Sequence, residues 1–187
     1  MRKVVVITLA TVVVIVVAFV VLDRVNLLIP LGQLTSEVPA MPCDGHELAE
    51  GFTYKFRDPH RGEFVVFHAR GHLGGAIVPD PHSRDLAVVK RVIGVPGDVV
   101  TVRSRRVYVN GAKADDVETQ PFTAVKVGPR QYFVLGDNRS FSQDSRDFGA
   151  VPRSAIFARV FLVWWPLGHV GAPGGRPPGP PPGDVCS

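Results

Sequence analysis

A lysine stands inside an apolar β run. The stretch Val88-Val89-Lys90-Arg91-Val92-Ile93-Gly94-Val95-Pro96-Gly97-Asp98 is dense in β-branched residues that suit a pleated surface, and Pro96-Gly97-Asp98 is a turn signal that ends it. Side chains alternate along a strand, so Lys90 and Arg91 point to opposite faces, and at most one of them reaches solvent from a half-buried strand. Two uses of Lys90 are open. Its stem lies on apolar surface while the amine snorkels to the sheet edge, or the amine is desolvated, the ammonium is disfavoured and a neutral amine serves as a base. A second dense stretch, Gly136-Asp137-Asn138-Arg139-Ser140-Phe141-Ser142-Gln143-Asp144-Ser145-Arg146-Asp147, has eleven polar or Gly residues in twelve. It is either a solvated loop or one held by its own hydrogen bonds and ion pairs, with Asp144 and Arg146 placed to brace each other. A third, Thr35-Ser36-Glu37-Val38-Pro39-Ala40-Met41-Pro42-Cys43-Asp44-Gly45, is too rich in Pro and Gly for a regular element. Its serine, on a loop beside an apolar segment, is an ordinary turn hydroxyl or a nucleophile. A nucleophilic serine near a membrane, a buried lysine and a braced polar loop are the parts of a Ser-Lys hydrolase, which needs no histidine.

The elements that must position these groups follow from the rest of the chain. After Arg2 and Lys3, residues 4–22 carry no charge. At about 1.5 Å per residue they span roughly 28 Å, close to the hydrocarbon thickness of a bilayer. A cleavable signal has a shorter apolar core and ends in small residues, whereas Asp23-Arg24 follow Leu22 here, so the segment is expected to be an uncleaved transmembrane anchor. A short N-terminal tail before a large C-terminal domain suits an anchor whose N-terminus is inside, which puts the domain outside the cytoplasm. A shorter apolar patch at residues 26–34, interrupted by Pro30 and Gly32, is expected at the membrane surface.

From Phe64 onward short β-rich runs are separated by Gly and Pro clusters: 64–68, 86–93, 99–102, 107–109, 122–127, 132–135 and 156–164. Arg103 to Arg106 and Asn110-Gly111 predict successive hairpins, and residues 71–85 predict a long loop. The Gly/Pro-rich segment from Pro166 to Ser187 cannot support a core and is expected to be disordered.

Composition narrows the function classes. With 187 residues and a formal net charge of +4 the chain has room for one modest domain and an anchor. Its basic residues are spread without aromatic interleaving, which excludes a nucleic-acid partner and suits anionic lipid headgroups instead. Among six histidines, His68-x3-His72 straddles a strand end, and no Cys or acidic cluster completes a ligand set, so no metal or other cofactor is expected. The two cysteines, Cys43 and Cys186, are expected as free thiols.

Taken together the motifs resemble those of type I signal peptidases. Lys90 to Asp98 matches that family's K-R-(I/V)-I-G-x-P-G-D box, and Gly136 to Arg146 its G-D-N-R-x-x-S-x-D-S-R box. Pro59-x-Arg61-Gly62-Glu63-Phe64-Val65-Val66-Phe67 is similar to P-x-R-G-D-(I/V)-V-V-F, with Glu63 in place of Asp. The resemblance implies a mainly β fold, a signal-peptidase-like antiparallel β-sheet domain with an N-terminal transmembrane helix. With the composition read above, the chain is expected to divide into a cytoplasmic stub and anchor over 1–25, an extracytoplasmic catalytic β domain over 26–168 and a disordered tail over 169–187. The resemblance also implies a single-pass membrane-bound serine endopeptidase that removes signal peptides from exported preproteins. Lys90 would be the general base, Ser142 the hydroxyl that orients its amine, and Asp144 with Arg146 the supporting ion pair. Against the serine box S-M-x-P-T-(L/M), Ser36-Glu37-Val38-Pro39-Ala40-Met41 keeps the serine, the proline and the last apolar position and makes Ser36 the nucleophile. A rival register sets Ala40-Met41 on Ser-Met and gives a catalytically inactive relative that still binds signal peptides or a secretion partner. A self-cleaving or repressor-type Ser-Lys protease is a further class, and an anchor argues against its DNA-linked role.

Overall fold

The β-branched runs of the sequence become strands because most of them pair on both sides and bury at least one face. The computed structural model describes residues 12–14, 29–31, 46–71, 77–84, 86–165 and 170–173. Twelve strands follow in chain order: β1 (Ile29–Leu31), β2 (His46–Glu50), β3 (Phe64–Gly71), β4 (Ile77–Pro79), β5 (Leu86–Gly94), β6 (Val99–Arg103), β7 (Arg106–Val109), β8 (Ala112–Lys113), β9 (Val125–Lys126), β10 (Gln131–Leu135), β11 (Val151–Pro152) and β12 (Ile156–Trp165). The larger sheet runs β1-β2-β12-β3-β5-β10-β11 with β4 added to β3, and the smaller runs β8-β7-β6-β9. Every pairing is antiparallel. The described domain is thus a mainly β, antiparallel structure.

β5 is the interior strand on which the rest is arranged. It pairs with β3 from Phe64↔Arg91 through Val65↔Lys90 to Ala69↔Leu86, and with β10 at Phe133↔Gly94, Val134↔Val92 and Leu135↔Arg91. Alternation splits its apolar residues between cores. Val88 and Val92 pack with Val65, Phe67, Tyr132, Val134 and Ile156, while Val89 packs with Ala49, Phe64, Val66, Ala158 and Val160. A third core, with Val100, Val107, Val127 and Phe133, joins the two sheets. The predicted hairpins form where Ser104-Arg105 and Asn110-Gly111 take positive φ (46° and 58°, 51° and 83°), the backbone that two-residue turns require.

Some sequence expectations differ from what forms. The patch at 26–34 supplies β1, which pairs with β2 at the sheet edge. The segment 71–85 contains β4, paired with Ala69, Arg70 and Gly71 of β3. Of the run 122–127 only Val125–Lys126 is a strand, because Phe122 turns to stack on Phe133 at 5.3 Å. Gly171 bridges back to Val163 by two backbone hydrogen bonds of 2.8 and 3.0 Å, so β pairing reaches past residue 168. Val12–Val14 are helical; the remainder of the expected anchor, Ser36 with its loop, Cys43, and the tail from 174 with Cys186 lie outside the described residues. Among the described residues no helix is long and apolar enough to cross a membrane.

Candidate active site

Lys90 and Arg91 are adjacent cations in the middle of an interior strand, and both are buried, at 3% and 4% exposure. Sequence alternation put one of them inside; the structure keeps both, on opposite faces. Lys90 lies on the face of Val88 and Val92, and its Nζ donates to the Val89 carbonyl at 2.8 Å. Arg91 lies over the Phe64 ring at 4.1 Å. Its Nε and Nη2 reach both oxygens of Asp137 at 2.8 and 2.7 Å, and its Nη1 donates to the Gly62 carbonyl at 3.1 Å. A bidentate carboxylate offsets much of the cost of burying a guanidinium, which is why Arg91 need not reach water.

The polar loop after β10 is held from within. Asp144 is fully buried. Its carboxylate takes the Gly136 N–H at 3.0 Å and both Nε and Nη2 of Arg146 at 2.8 Å. Asp144 also caps the helical turn Ser145–Phe148, with Asp147 returning to the Asp144 N–H, so the turn starts on a reciprocal cap. Arg146 donates further to the Arg139 carbonyl at 2.9 Å and to the Ser142 carbonyl at 3.2 Å. The Asp144–Arg146 brace expected from the sequence is therefore present, and it fixes the main chain of Ser142. Among the described residues the Ser142 hydroxyl itself hydrogen-bonds the Gln143 carbonyl, at 3.5 Å, rather than Lys90 Nζ. Gln143 ties the loop to β4 by accepting the Ile77 N–H at 3.1 Å.

Two partners were not legible from spacing. Arg139 donates to Asp115 at 2.5 Å, and Arg91 finds Asp137; each pair links segments far apart in the chain. The only sequence signal was that an arginine inside an apolar run needs a buried acid. The Pro59–Phe67 motif is laced to the Lys90–Asp98 stretch as well. Arg61 binds Asp98 through two nitrogens, with Nε–Oδ2 at 2.7 Å, and Asp98 also takes the Val95 N–H at 2.8 Å. Burial raises the cost of ionising Asp98, but these donors outweigh it and hold its carboxyl below the usual range. Gly62 N–H donates to the Val92 carbonyl and Val92 N–H to the Glu63 carbonyl, both at 2.8 Å. Burial opposes ionisation of Glu63 too, yet Arg57, the His60 N–H and the Tyr54 hydroxyl bring it down to about 2. The motifs at Pro59–Phe67, Lys90–Asp98 and Gly136–Arg146, separate in sequence, thus form one hydrogen-bonded unit around β5.

Chemically, the unit supplies a dry amine on a rigid strand and a stiff polar loop beside it, and among the described residues no group of His, Cys, Asp and Glu is disposed to hold a metal. A family model described as signal peptidase, peptidase S26, matches residues 3–165. The chain belongs to the signal peptidase family, peptidase S26. This signal peptidase family member is 39% identical over 142 residues to a probable signal peptidase I-2 of Synechocystis sp., covering 73% of this chain and 62% of that protein. It is 34% identical over 147 residues to a signal peptidase I of Leptolyngbya laminosa, covering 76% and 70% respectively. It therefore spans less than two thirds of the length of the Synechocystis relative. A crystal structure of a signal peptidase I from Enterococcus faecalis is 30% identical with a TM-score of 0.42, covering 54% of this chain and 94% of that one.

Proposed function

We propose that this chain is a membrane-bound serine endopeptidase that removes N-terminal signal peptides from exported preproteins, with Ser36 as nucleophile and Lys90 as general base. The observation that carries the proposal is Lys90 itself: an amine at 3% exposure on an interior strand, in a member of the signal peptidase family. A neutral Lys90 takes the proton from Ser36 Oγ as the oxygen attacks the scissile carbonyl, and backbone N–H groups near Ser36 receive the oxyanion. The amine then gives its proton to the leaving nitrogen, and water activated by the same amine releases the acyl group from the serine. Ser142 orients the amine through a rotation of its hydroxyl, on a main chain that Arg146 and Asp144 keep in place. Residues 4–22 span the bilayer once and hold the catalytic domain, 26–168, on the extracytoplasmic side, where preproteins emerge still attached to their signal peptides. Pairing with Val163 carries the domain as far as Gly171, and the Pro- and Gly-rich residues after it are a tail outside the catalytic unit.

The test is cleavage of a preprotein by the purified full chain in detergent, compared with Ser36→Ala. Wild type is expected to release the mature protein and Ser36→Ala to release none while melting at the same temperature. Equal rates would remove Ser36 from the mechanism, and a wild type that binds signal peptides without cutting them would make the chain an inactive relative.

A further inference from the structure

Every buried acid but one among the described residues has a donor. Asp98 has Arg61, Asp115 has Arg139, Asp137 has Arg91 and Asp144 has Arg146. Glu47 is fully buried and neither of its carboxyl oxygens has a hydrogen-bond partner. It is the second residue of β2, opposite Leu31 of β1 and Val163 of β12. With Ala49 two residues on, it shares the face that meets Phe64, Val66, Val89, Ala158 and Val160.

The charged and titratable groups of the elements around it are engaged elsewhere. β1 carries none in Ile29–Leu31. On β2, His46 is exposed with its ring 5.4 Å from Trp164, and Glu50 accepts from Arg159 of β12 at 2.6 Å. Across the face, His68 of β3 stacks on Phe157 and Arg91 of β5 is bound to Asp137. Burial without a counter-charge disfavours the carboxylate and pushes Glu47 up to about 7, against a weak opposing pull from its own backbone N–H. Leu31↔Glu47 is also the last β1–β2 pair before residues 32–45, the connection that contains Ser36.

We propose that Glu47 is a proton-linked positioning residue: as a neutral acid it holds the β1–β2–β12 pairing from which the Ser36 connection departs, and on losing its proton it loosens that pairing. The catalytic half of this proposal rests on Ser36 being the nucleophile. The stability half does not. An unfolded glutamate ionises near 4.5 and the folded one near 7, so between these values the folded state holds the extra proton. Stability is then full below the lower value, falls as pH rises through the interval, and stays reduced above it.

The experiment compares the full chain in detergent micelles with Glu47→Gln and Glu47→Leu, each also made in the Ser36→Ala background. The melting temperature of Glu47→Gln should match wild type near about pH 5 and exceed it by about 5 °C near about pH 8, with or without Ser36. A difference that does not change between those pH values would overturn the proton linkage. Glu47→Leu supplies the same comparison should the glutamine variant fold poorly. For catalysis, the ratio of kcat for Glu47→Gln to wild type should rise about tenfold from about pH 6 to about pH 9 at nearly constant KM. A flat ratio would overturn the positioning role. If Ser36→Ala kept its activity the nucleophile assignment would fall, while the melting curves of that same variant would still decide the linkage at Glu47.

Discussion

At the scale of single residues, Lys90 and Arg91 show how one strand treats two cations differently. Arg91 is met by both oxygens of the Asp137 carboxylate; Lys90, on the other face, meets apolar neighbours and a backbone carbonyl. If Lys90 works as a neutral base, Lys90→Arg should be as inactive as Lys90→Ala although it preserves the charge, since a guanidinium does not give up its proton in this range. Loss of a general base costs about two to four orders of magnitude, so single-turnover rates of preprotein cleavage should fall by at least about a hundredfold in both variants. Substantial turnover by Lys90→Arg would make residue 90 an electrostatic element and end the Ser-Lys mechanism.

At the scale of elements, the Arg91–Asp137 pair is what fastens the polar loop to β5. Asp137→Ala leaves a buried guanidinium without its carboxylate and should destabilise the domain by about 3–5 kcal/mol, measured by urea unfolding. The double variant Arg91→Met with Asp137→Leu should recover more than half of that loss, because an apolar pair of similar volume carries no desolvation cost. The strands that such pairs connect were legible to different degrees. β3, β5, β10 and β12 announce themselves by β-branched and aromatic residues, and their observed bounds exceed the expected ones by only a few residues. β2 does not, because His46-Glu47-Leu48-Ala49-Glu50 has little intrinsic strand preference and is made extended by its neighbours β1 and β12. β4 was hidden for another reason: its two β-branched residues, Ile77 and Val78, sit in a Gly/Pro-rich stretch that reads as loop. Of the site, the Asp144–Arg146 brace was visible because its partners are two residues apart. Arg91–Asp137 and Arg139–Asp115 were not, since sequence distance says nothing about which strands a fold sets side by side.

At the scale of the whole molecule, the C-terminal segment is expected to divide at the Gly171 bridge. Removing residues 174–187 should change activity by less than about twofold and leave the melting temperature in place, because Pro- and Gly-rich chain buries little. Removing 170–187 takes away both hydrogen bonds to Val163 and should lower the melting temperature by about 2–4 °C, a scale set by roughly 1 kcal/mol of lost pairing. The opposite end of the chain sets a different limit. β1 begins at Ile29, registered against Ala49 in the large sheet, and if residues 4–22 span the membrane as proposed, only seven peptide steps separate Leu22 from Ile29. At no more than about 3.6 Å per step that is a leash of about 25 Å, shorter than the bilayer is thick. A domain so tethered samples a thin layer above the lipid. On the proposed topology it would meet a substrate held in the same membrane by a two-dimensional search at high local concentration, while peptides free in bulk solution would be diluted out of its reach.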